Sequence, residues 1–220
     1  MTDQRVLVFS PHPDDVELFL GGTLLRHVSE GAVVKVVMMT LGEKGSVLSI
    51  LSSKREAGVK QTRAAELRCR FELAPSVEVA LMGITDREIF ETEEMIARAL
   101  QEIVRFEPTC VYLPESNKAS SFYFHPDHII TGKIVESAVA RHPRTIARRY
   151  FHSSAPTTFI DISEFHRANL TAMRCYKSQY SWSASPPFLL HILETDRYVR
   201  TRRYGKRIGS KFAEAFREAQ

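Results

Sequence analysis

Short apolar runs alternate along this chain with segments of helical periodicity, and this alternation restricts the fold more than any other sequence feature. Val6-Leu7-Val8-Phe9 is a continuous apolar run that Pro11 and Pro13 end, as expected for a strand buried on both faces. Apolar residues then recur at helical spacing from Leu18 to Val28, and Gly31 ends that segment. The pattern predicts a strand, a loop and a helix.

The same alternation continues through most of the chain. Its first part predicts strands at 33–40, 77–81 and 109–113, and helices at 54–71, 91–106 and 129–140. Its last part predicts strands at 150–151 and 158–162, and helices at 165–176, 188–204 and 210–216. We therefore expect residues 1–220 to form a single α/β domain, a doubly wound (Rossmann-like), mostly parallel sheet with helices on both faces. Ligands of such sheets bind outside the carboxyl ends of the strands.

Composition excludes several other classes of protein. Hydrophobic residues make up 44% of the chain and charged residues 25%, which is typical of a globular protein and not of a disordered or collagen-like one. The longest apolar run, 33–39, is interrupted by Lys35 and is far shorter than the roughly 20 residues of a membrane helix. Because the first apolar run is also too short for a signal peptide, we expect a cytoplasmic protein without a membrane span.

The cysteines give no sign of a disulfide framework or a cysteine zinc site. Cys69, Cys110 and Cys175 are an odd number, lie far apart and have no C-x-x-C spacing. The sequence therefore predicts three buried, reduced thiols.

The loop after the first predicted strand carries three side chains that can bind a metal ion. It reads Pro11-His12-Pro13-Asp14-Asp15-Val16-Glu17. Catalytic zinc commonly takes three imidazole or carboxylate ligands and keeps one position for water, and His12 with one aspartate can supply two of them. Adjacent side chains in an extended turn point in different directions, so we expect one aspartate to bind metal and the other to face the bound water.

A second segment with metal-binding side chains, Tyr123-Phe124-His125-Pro126-Asp127-His128, follows the strand that ends at Leu113. If His128 begins the next helix, it can be the third ligand, which leaves His125 free and Asp127 available to orient it. A bound metal lowers the pKa of its water, and a nearby carboxylate can then act as the general base. The two segments together predict a metal-dependent hydrolase.

These two segments, together with Gly21-Gly22-Thr23, resemble the signatures of the LmbE-like, or PIG-L, N-acetylglucosaminyl deacetylases. Weaker similarities extend along the chain to Thr40–Ser46, Ile84–Asp86 and Gly209–Phe216. The resemblance implies that His12, Asp15 and His128 bind a catalytic zinc. It also implies that Asp14 is the general base. The same nitrogen and oxygen donors suit Fe²⁺ as well.

The resemblance implies further roles around the metal. His125 would stabilise the oxyanion or protonate the departing amine, and Asp127 would hold His125. Tyr123 would polarise the acetyl carbonyl. The candidates for binding the sugar or an anionic aglycone are Asp86, Glu43 and Arg55, with Arg63 able to replace Arg55. The implied substrate is an N-acetyl-amino-sugar conjugate that releases acetate, and the implied assembly is a homo-oligomer.

Two other functions remain to be weighed. A net charge of +4 and the arginine-rich stretch 197–207 suggest a module that binds nucleic acid or another anionic surface, but no stacking motif accompanies them, so we expect no nucleic-acid partner. A metal hydrolase of another amide, ester or phosphoester bond is the second alternative, although the extra carboxylates of a two-metal site are missing. Because residues 197–220 hold eight basic and two acidic residues, we expect a local basic face there that contacts a subunit or attracts an anionic conjugate.

Overall fold

A computed structural model describes residues 3–44, 56–121, 125–180 and 188–219. The strands are β1 (Arg5–Ser10), β2 (Val33–Met38), β3 (Val77–Leu81), β4 (Cys110–Pro114), β5 (Ala147–Phe151), β6 (Thr158–Asp161) and β7 (Ala213–Ala219). The helices are α1 (Asp15–Phe19), α2 (Gly21–Ser29), α3 (Glu56–Glu72), α4 (Glu93–Phe106), α5 (Pro126–Ala140), α6 (His166–Met173), α7 (Lys177–Tyr180) and α8 (Phe188–Arg207). None of these helices is long and apolar enough to cross a membrane.

The described strands form one sheet in the order β3-β2-β1-β4-β5-β7-β6. Strands β1 to β5 run parallel, and β7 is antiparallel to both of its neighbours. The strand order reverses between β1 and β4, where Val8 pairs with Tyr112. The α/β class predicted from the sequence is confirmed, and the loops after β1 and β4 meet at the point where such sheets bind ligands.

Strand β1 is buried on both faces, as its apolar run predicts. Leu7 and Phe9 pack into the core cluster on one side of the sheet, whereas Val6 and Val8 pack into the cluster on the other. Burying each of these side chains contributes about 1.5–3 kcal/mol, so both helical layers are held firmly to the strand that precedes the first candidate metal-binding loop.

The helix predicted at 210–216 is wrong, because Ala213–Ala219 form strand β7. The composition of this segment, rich in alanine and glutamate, favours a helix locally. Pairing with β5 on one side and β6 on the other outweighs that preference. Phe216, which the helix prediction had included, is fully buried in the sheet core.

Two further expectations are corrected by packing between distant segments. Cys69 and Cys175 form a disulfide with their Cα atoms 5.9 Å apart, because α3 packs beside the segment after α6, a proximity that their separation in sequence conceals. Cys110 is a buried free thiol, as predicted. Arg197 does not contribute to the expected basic face, since it is fully buried and paired with Glu214 at 2.9 Å.

Candidate metal centre

The candidate metal centre lies where the loop after β1 approaches the first turn of α5. His12 follows β1, and Asp15 is the first residue of α1. In the second segment His125 is the N-cap of α5, and its Nδ1 accepts a hydrogen bond from the Asp127 backbone N–H at 3.3 Å. Proline at the first helical position suits this helix start. His128 therefore lies in the first turn and faces the loop after β1.

His12, Asp15 and His128 converge on one small buried volume. The Asp15 Oδ2 atom lies 3.1 Å from His12 Nδ1 and 3.0 Å from His128 Nε2. One ligand atom from each residue lies within 4.8 Å of the others, and all three residues are buried. Two imidazole nitrogens and one carboxylate oxygen form a donor set that suits zinc, so these residues fit the ion that the sequence predicts.

His12 also joins the triad to a second group of acidic side chains. Its Nε2 atom lies 3.2 Å from Asp86 Oδ1 and 3.3 Å from Asp127 Oδ2. A second potential ligand set, His12 with His125 and Asp127, shares this histidine. The two sets are thus adjacent parts of one centre, and they share the His12 ring.

The electrostatics of the centre follow from burial and from these contacts. Burial acts to lower the pKa of His12, but hydrogen bonds to Asp127, Asp15 and Asp86 raise it well above the ordinary value. Burial acts to raise the pKa of Asp15, but His128 and His12 lower it. The pKa of His125 is lowered, by burial first and by His12 second. The His12 ring thus lies among three carboxylates, and a bound metal ion would offset their negative charge.

Asp14 has different surroundings from Asp15, although the two are adjacent. Its side chain is 16% exposed, compared with 4% for Asp15. Its Oδ1 atom lies 3.5 Å from Arg63 Nη2, and the Arg63 Nε–H donates to the Leu41 carbonyl at 2.9 Å. The carboxylate of Asp14 thus remains reachable from solvent beside a buried guanidinium.

The other candidate residues lie at different depths. Asp86 and Glu43 are almost completely buried; the Asp86 backbone N–H donates to Glu43 Oε1, and Asp86 Oδ2 accepts from the Lys44 backbone N–H at 2.9 Å. Burial acts to raise the pKa of Asp86, but the hydrogen bond to His12 lowers it to about 2. The Asp127 carboxylate contacts His12 and accepts from the Arg87 backbone N–H. Tyr123 and Arg55 lie outside the described residues.

Sequence reasoning missed one histidine of the centre. No other chemically active residue lies near His152 in sequence, yet its Nε2 lies 2.8 Å from His128 Nδ1. Burial and the neighbouring His128 lower its pKa to about 3, so the ring is neutral at physiological pH. The signal that could have found it is positional: His152 directly follows β5, which is adjacent to β4 at the carboxyl edge of the sheet.

Comparison with known proteins finds a family model and several deacetylases to which this chain is similar. A family model described as "PIG-L: GlcNAc-PI de-N-acetylase" matches residues 7–139. A probable N-acetyl-alpha-D-glucosaminyl L-malate deacetylase 2 from Bacillus anthracis is 26% identical over 195 residues, which cover 81% of this chain and 83% of the relative. The diacetylchitobiose deacetylase of Thermococcus kodakarensis is 26% identical over 233 residues, which cover 97% of this chain and 82% of the relative.

A solved structure has the same fold over nearly the whole chain. It is the N,N′-diacetylchitobiose deacetylase from Pyrococcus horikoshii in complex with an inhibitor, with a TM-score of 0.87 and 22% identity. The match covers 98% of this chain and 84% of the other. At this identity the likeness establishes the architecture, so any assignment of chemistry depends on the site residues and the sequence relatives.

Proposed function

This chain belongs to the PIG-L family, and we propose that it is a metal-dependent hydrolase that removes the acetyl group from an N-acetylglucosamine-type conjugate. The observation that carries the proposal is the buried convergence of His12, Asp15 and His128 on one volume, with the separate carboxylate of Asp14 next to it in the chain. Hydrolysis of the amide would release acetate and leave a free amine on the sugar.

Zinc is the metal that we propose for this centre. Its ligands would be the imidazoles of His12 and His128 and the Asp15 carboxylate, which are ligands typical of catalytic zinc sites. Fe²⁺ is the alternative metal that the same ligands can bind. When bound, such an ion polarises a carbonyl oxygen and lowers the pKa of water toward about 7.

The residues of the chain supply the proton transfers. We assign Asp14 as the general base, because its carboxylate is adjacent to Asp15 in the chain and keeps access to solvent. His125 Nδ1 accepts from a backbone N–H, so a neutral His125 ring carries its proton on Nε2. In that state it offers an N–H donor to the oxyanion, and the lowered pKa of His125 favours this role over that of a charged acid.

The substrate class follows from what the relatives share. One relative is named for a glucosaminyl malate and the other for diacetylchitobiose, so the common element is the acetamido group of the sugar and the attached group differs. Asp86, Glu43 and either Arg55 or Arg63 stay our candidates for substrate contacts, and Tyr123 stays the candidate for polarising the carbonyl. The expected homo-oligomer and cytoplasmic location also remain predictions.

An acetate-release panel tests the proposed function. The zinc-loaded protein is incubated separately with N-acetylglucosaminyl malate, diacetylchitobiose and N-acetylglucosaminyl inositol, with an O-acetyl ester and a phosphomonoester as controls. We expect acetate and free amine in equal amounts from at least one N-acetyl sugar. Hydrolysis of the phosphomonoester or the O-acetyl ester, with no acetate from any N-acetyl sugar, would assign the centre to the alternative hydrolase class.

A further inference from the structure

A chain of hydrogen-bonding groups runs from the metal centre into the protein behind it. Asp15 Oδ2 lies 3.0 Å from His128 Nε2, and the other nitrogen of that ring, Nδ1, lies 2.8 Å from His152 Nε2. The remaining nitrogen, His152 Nδ1, lies 3.0 Å from Ser121 Oγ. All four residues are buried, so each of these contacts is shielded from water.

The chain has one consistent arrangement of protons when His128 binds a metal through Nε2. A metal ligand nitrogen must be unprotonated, so the neutral His128 ring carries its proton on Nδ1. His152 Nε2 then accepts a hydrogen bond from the His128 Nδ1–H, so the proton of the neutral His152 ring lies on its own Nδ1. The Nδ1–H donates to Ser121 Oγ, whose lone pairs accept it. Each imidazole thereby sets the tautomer of the next.

His152 is held firmly enough to serve as a fixed acceptor. Its ring packs edge-on against Phe19 and Phe151, each at a centroid distance of 5.2 Å, and those two rings stack on one another. Its backbone has φ of +47°, a left-handed conformation that is uncommon for a residue with a side chain. Strained residues of this kind persist where the surrounding structure fixes them, and they cluster at functional sites.

We propose that His152 is a positioning residue for the metal centre, which accepts the Nδ1–H of His128 and so directs the His128 Nε2 lone pair toward the ion. The inference rests on the proposed metal-binding function and extends it to the residue behind the ligand. Most metal-bound histidines donate to a carboxylate, a carbonyl or water. Here the acceptor is a second imidazole, whose other nitrogen lies 3.0 Å from the Ser121 hydroxyl.

Two substitutions of His152 distinguish positioning from a purely structural role. In His152→Gln, the side-chain oxygen reaches the position of Nε2 and can still accept from His128. In His152→Asn, the shorter amide reaches only the position of Nδ1, although asparagine suits the left-handed backbone better. Positioning therefore predicts that Gln preserves the centre and Asn does not, whereas a structural role predicts the reverse order.

Zinc affinity, measured with Zn²⁺ alone by competition with a chelating dye, is the readout. We expect His152→Asn to bind zinc about 10- to 100-fold more weakly than the wild type, and His152→Gln to recover most of the affinity. His166→Asn is the matched control, because His166 is another buried histidine and lies against Phe212, away from the centre. Its zinc affinity should equal that of the wild type.

The outcomes separate this inference from the proposed function. If the wild type fails to bind zinc, or if His128→Ala binds it unchanged, the metal site itself is wrong. If the wild type binds zinc through His128 and a folded His152→Asn binds equally well, the positioning role is overturned. Should His152→Asn fail to fold, Ser121→Ala tests the chain from its other end: weaker zinc binding supports the role, and unchanged binding contradicts it.

Discussion

Arg63 connects the candidate base to the loop after β2. Its guanidinium lies beside Asp14, its Nε–H donates to the Leu41 carbonyl, and the side chain is almost completely buried. Gly42 makes room for it: a Cβ at this position would lie 2.4 Å from Arg63 Nη2, and φ of Gly42 is +66°. The placement of Asp14 thus depends on a glycine that lies 28 positions away in sequence.

Gly42→Ala should therefore reduce both stability and turnover. We expect a loss of about 1–3 kcal/mol in the free energy of unfolding, because alanine is strained at positive φ and its methyl group displaces the guanidinium. Gly58→Ala, in helix α3 with open space around the Cβ, is the control and should stabilise the protein by about 0.5–1 kcal/mol. Urea unfolding and kcat of the two variants check this. Equal effects at both sites would show that the Arg63 contact has no influence.

At this scale the candidate ligands carry local sequence signals, because histidine and aspartate lie at short spacing after a strand. Asp15 and His128 lie 3.0 Å apart because the segments that carry them follow β1 and β4, which are adjacent in the sheet. His152 and the Arg63 contact with Asp14 were not predictable in this way, since each depends on the packing of segments that are distant in sequence. Residue type therefore indicates which side chains can bind the metal, whereas the residues that contact those side chains are determined by tertiary structure.

The N-terminus of helix α2 is capped by a residue from the far end of the chain. The preceding residue, Leu20, has no side chain that can cap it. Instead, Glu214 on β7 accepts from the backbone N–H groups of Gly22 at 3.1 Å and Thr23 at 2.7 Å. The same carboxylate pairs with the buried Arg197 on α8. One carboxylate thereby holds together α2, α8 and β7, and α2 follows the segment that carries the candidate metal ligands His12 and Asp15.

Glu214→Ala should be strongly destabilising. It leaves Arg197 buried without its partner and two helix N–H groups without an acceptor, so we expect a loss of about 3–5 kcal/mol. Arg197→Met should lower the free energy of unfolding by less when it is added to the Glu214→Ala variant than when it is made in the wild type. Glu218→Ala, on the same strand but partly exposed, should cost about 1 kcal/mol or less. Equilibrium unfolding of these variants gives the comparison. Additive effects of Glu214→Ala and Arg197→Met would contradict the energetic coupling between these two residues.

The role of Glu214 also explains why the last element was predicted wrongly. A segment reading Ala-Glu-Ala-Phe favours a helix by composition alone. As strand β7 it places Glu214 against the α2 N-terminus and Phe216 in the core. Neither contact has a local signature, whereas the parallel strands β1, β2 and β4 were predictable because each has a buried, mostly apolar run.

At the scale of the whole molecule, the candidate site lies where the strand order reverses, and buried histidines elsewhere make the stability of the fold depend on pH. Burial and the nearby Arg149 lower the pKa of His27 to about 4, and burial and Arg197 do the same for His166. In the unfolded chain such groups titrate near 6.5. Between pH 6.5 and 4 the unfolded chain therefore binds protons that the folded chain does not, and stability falls as the pH falls.

His27→Gln should reduce this dependence on pH. For His27 the free energy of unfolding lost between pH 6.5 and 4 is at most about 3 kcal/mol, and the variant lacks this contribution. Urea unfolding at pH 7.5 and 5.0 should thus give a smaller drop for His27→Gln than for the wild type. An identical drop in both proteins would mean that His27 titrates normally in the folded state.

Our central claim is that Asp15 binds the metal ion whereas the adjacent Asp14 acts as the general base. Metal content measured together with acetate release tests this claim most directly. Asp14→Asn and Asp15→Asn are prepared in parallel, and the zinc bound per chain and kcat are determined for each. We expect Asp14→Asn to keep its zinc and lose about 10²- to 10⁴-fold in kcat, as for removal of a general base, and Asp15→Asn to lose both zinc and activity. Near-normal turnover in Asp14→Asn, or full zinc occupancy in Asp15→Asn, would contradict the claim.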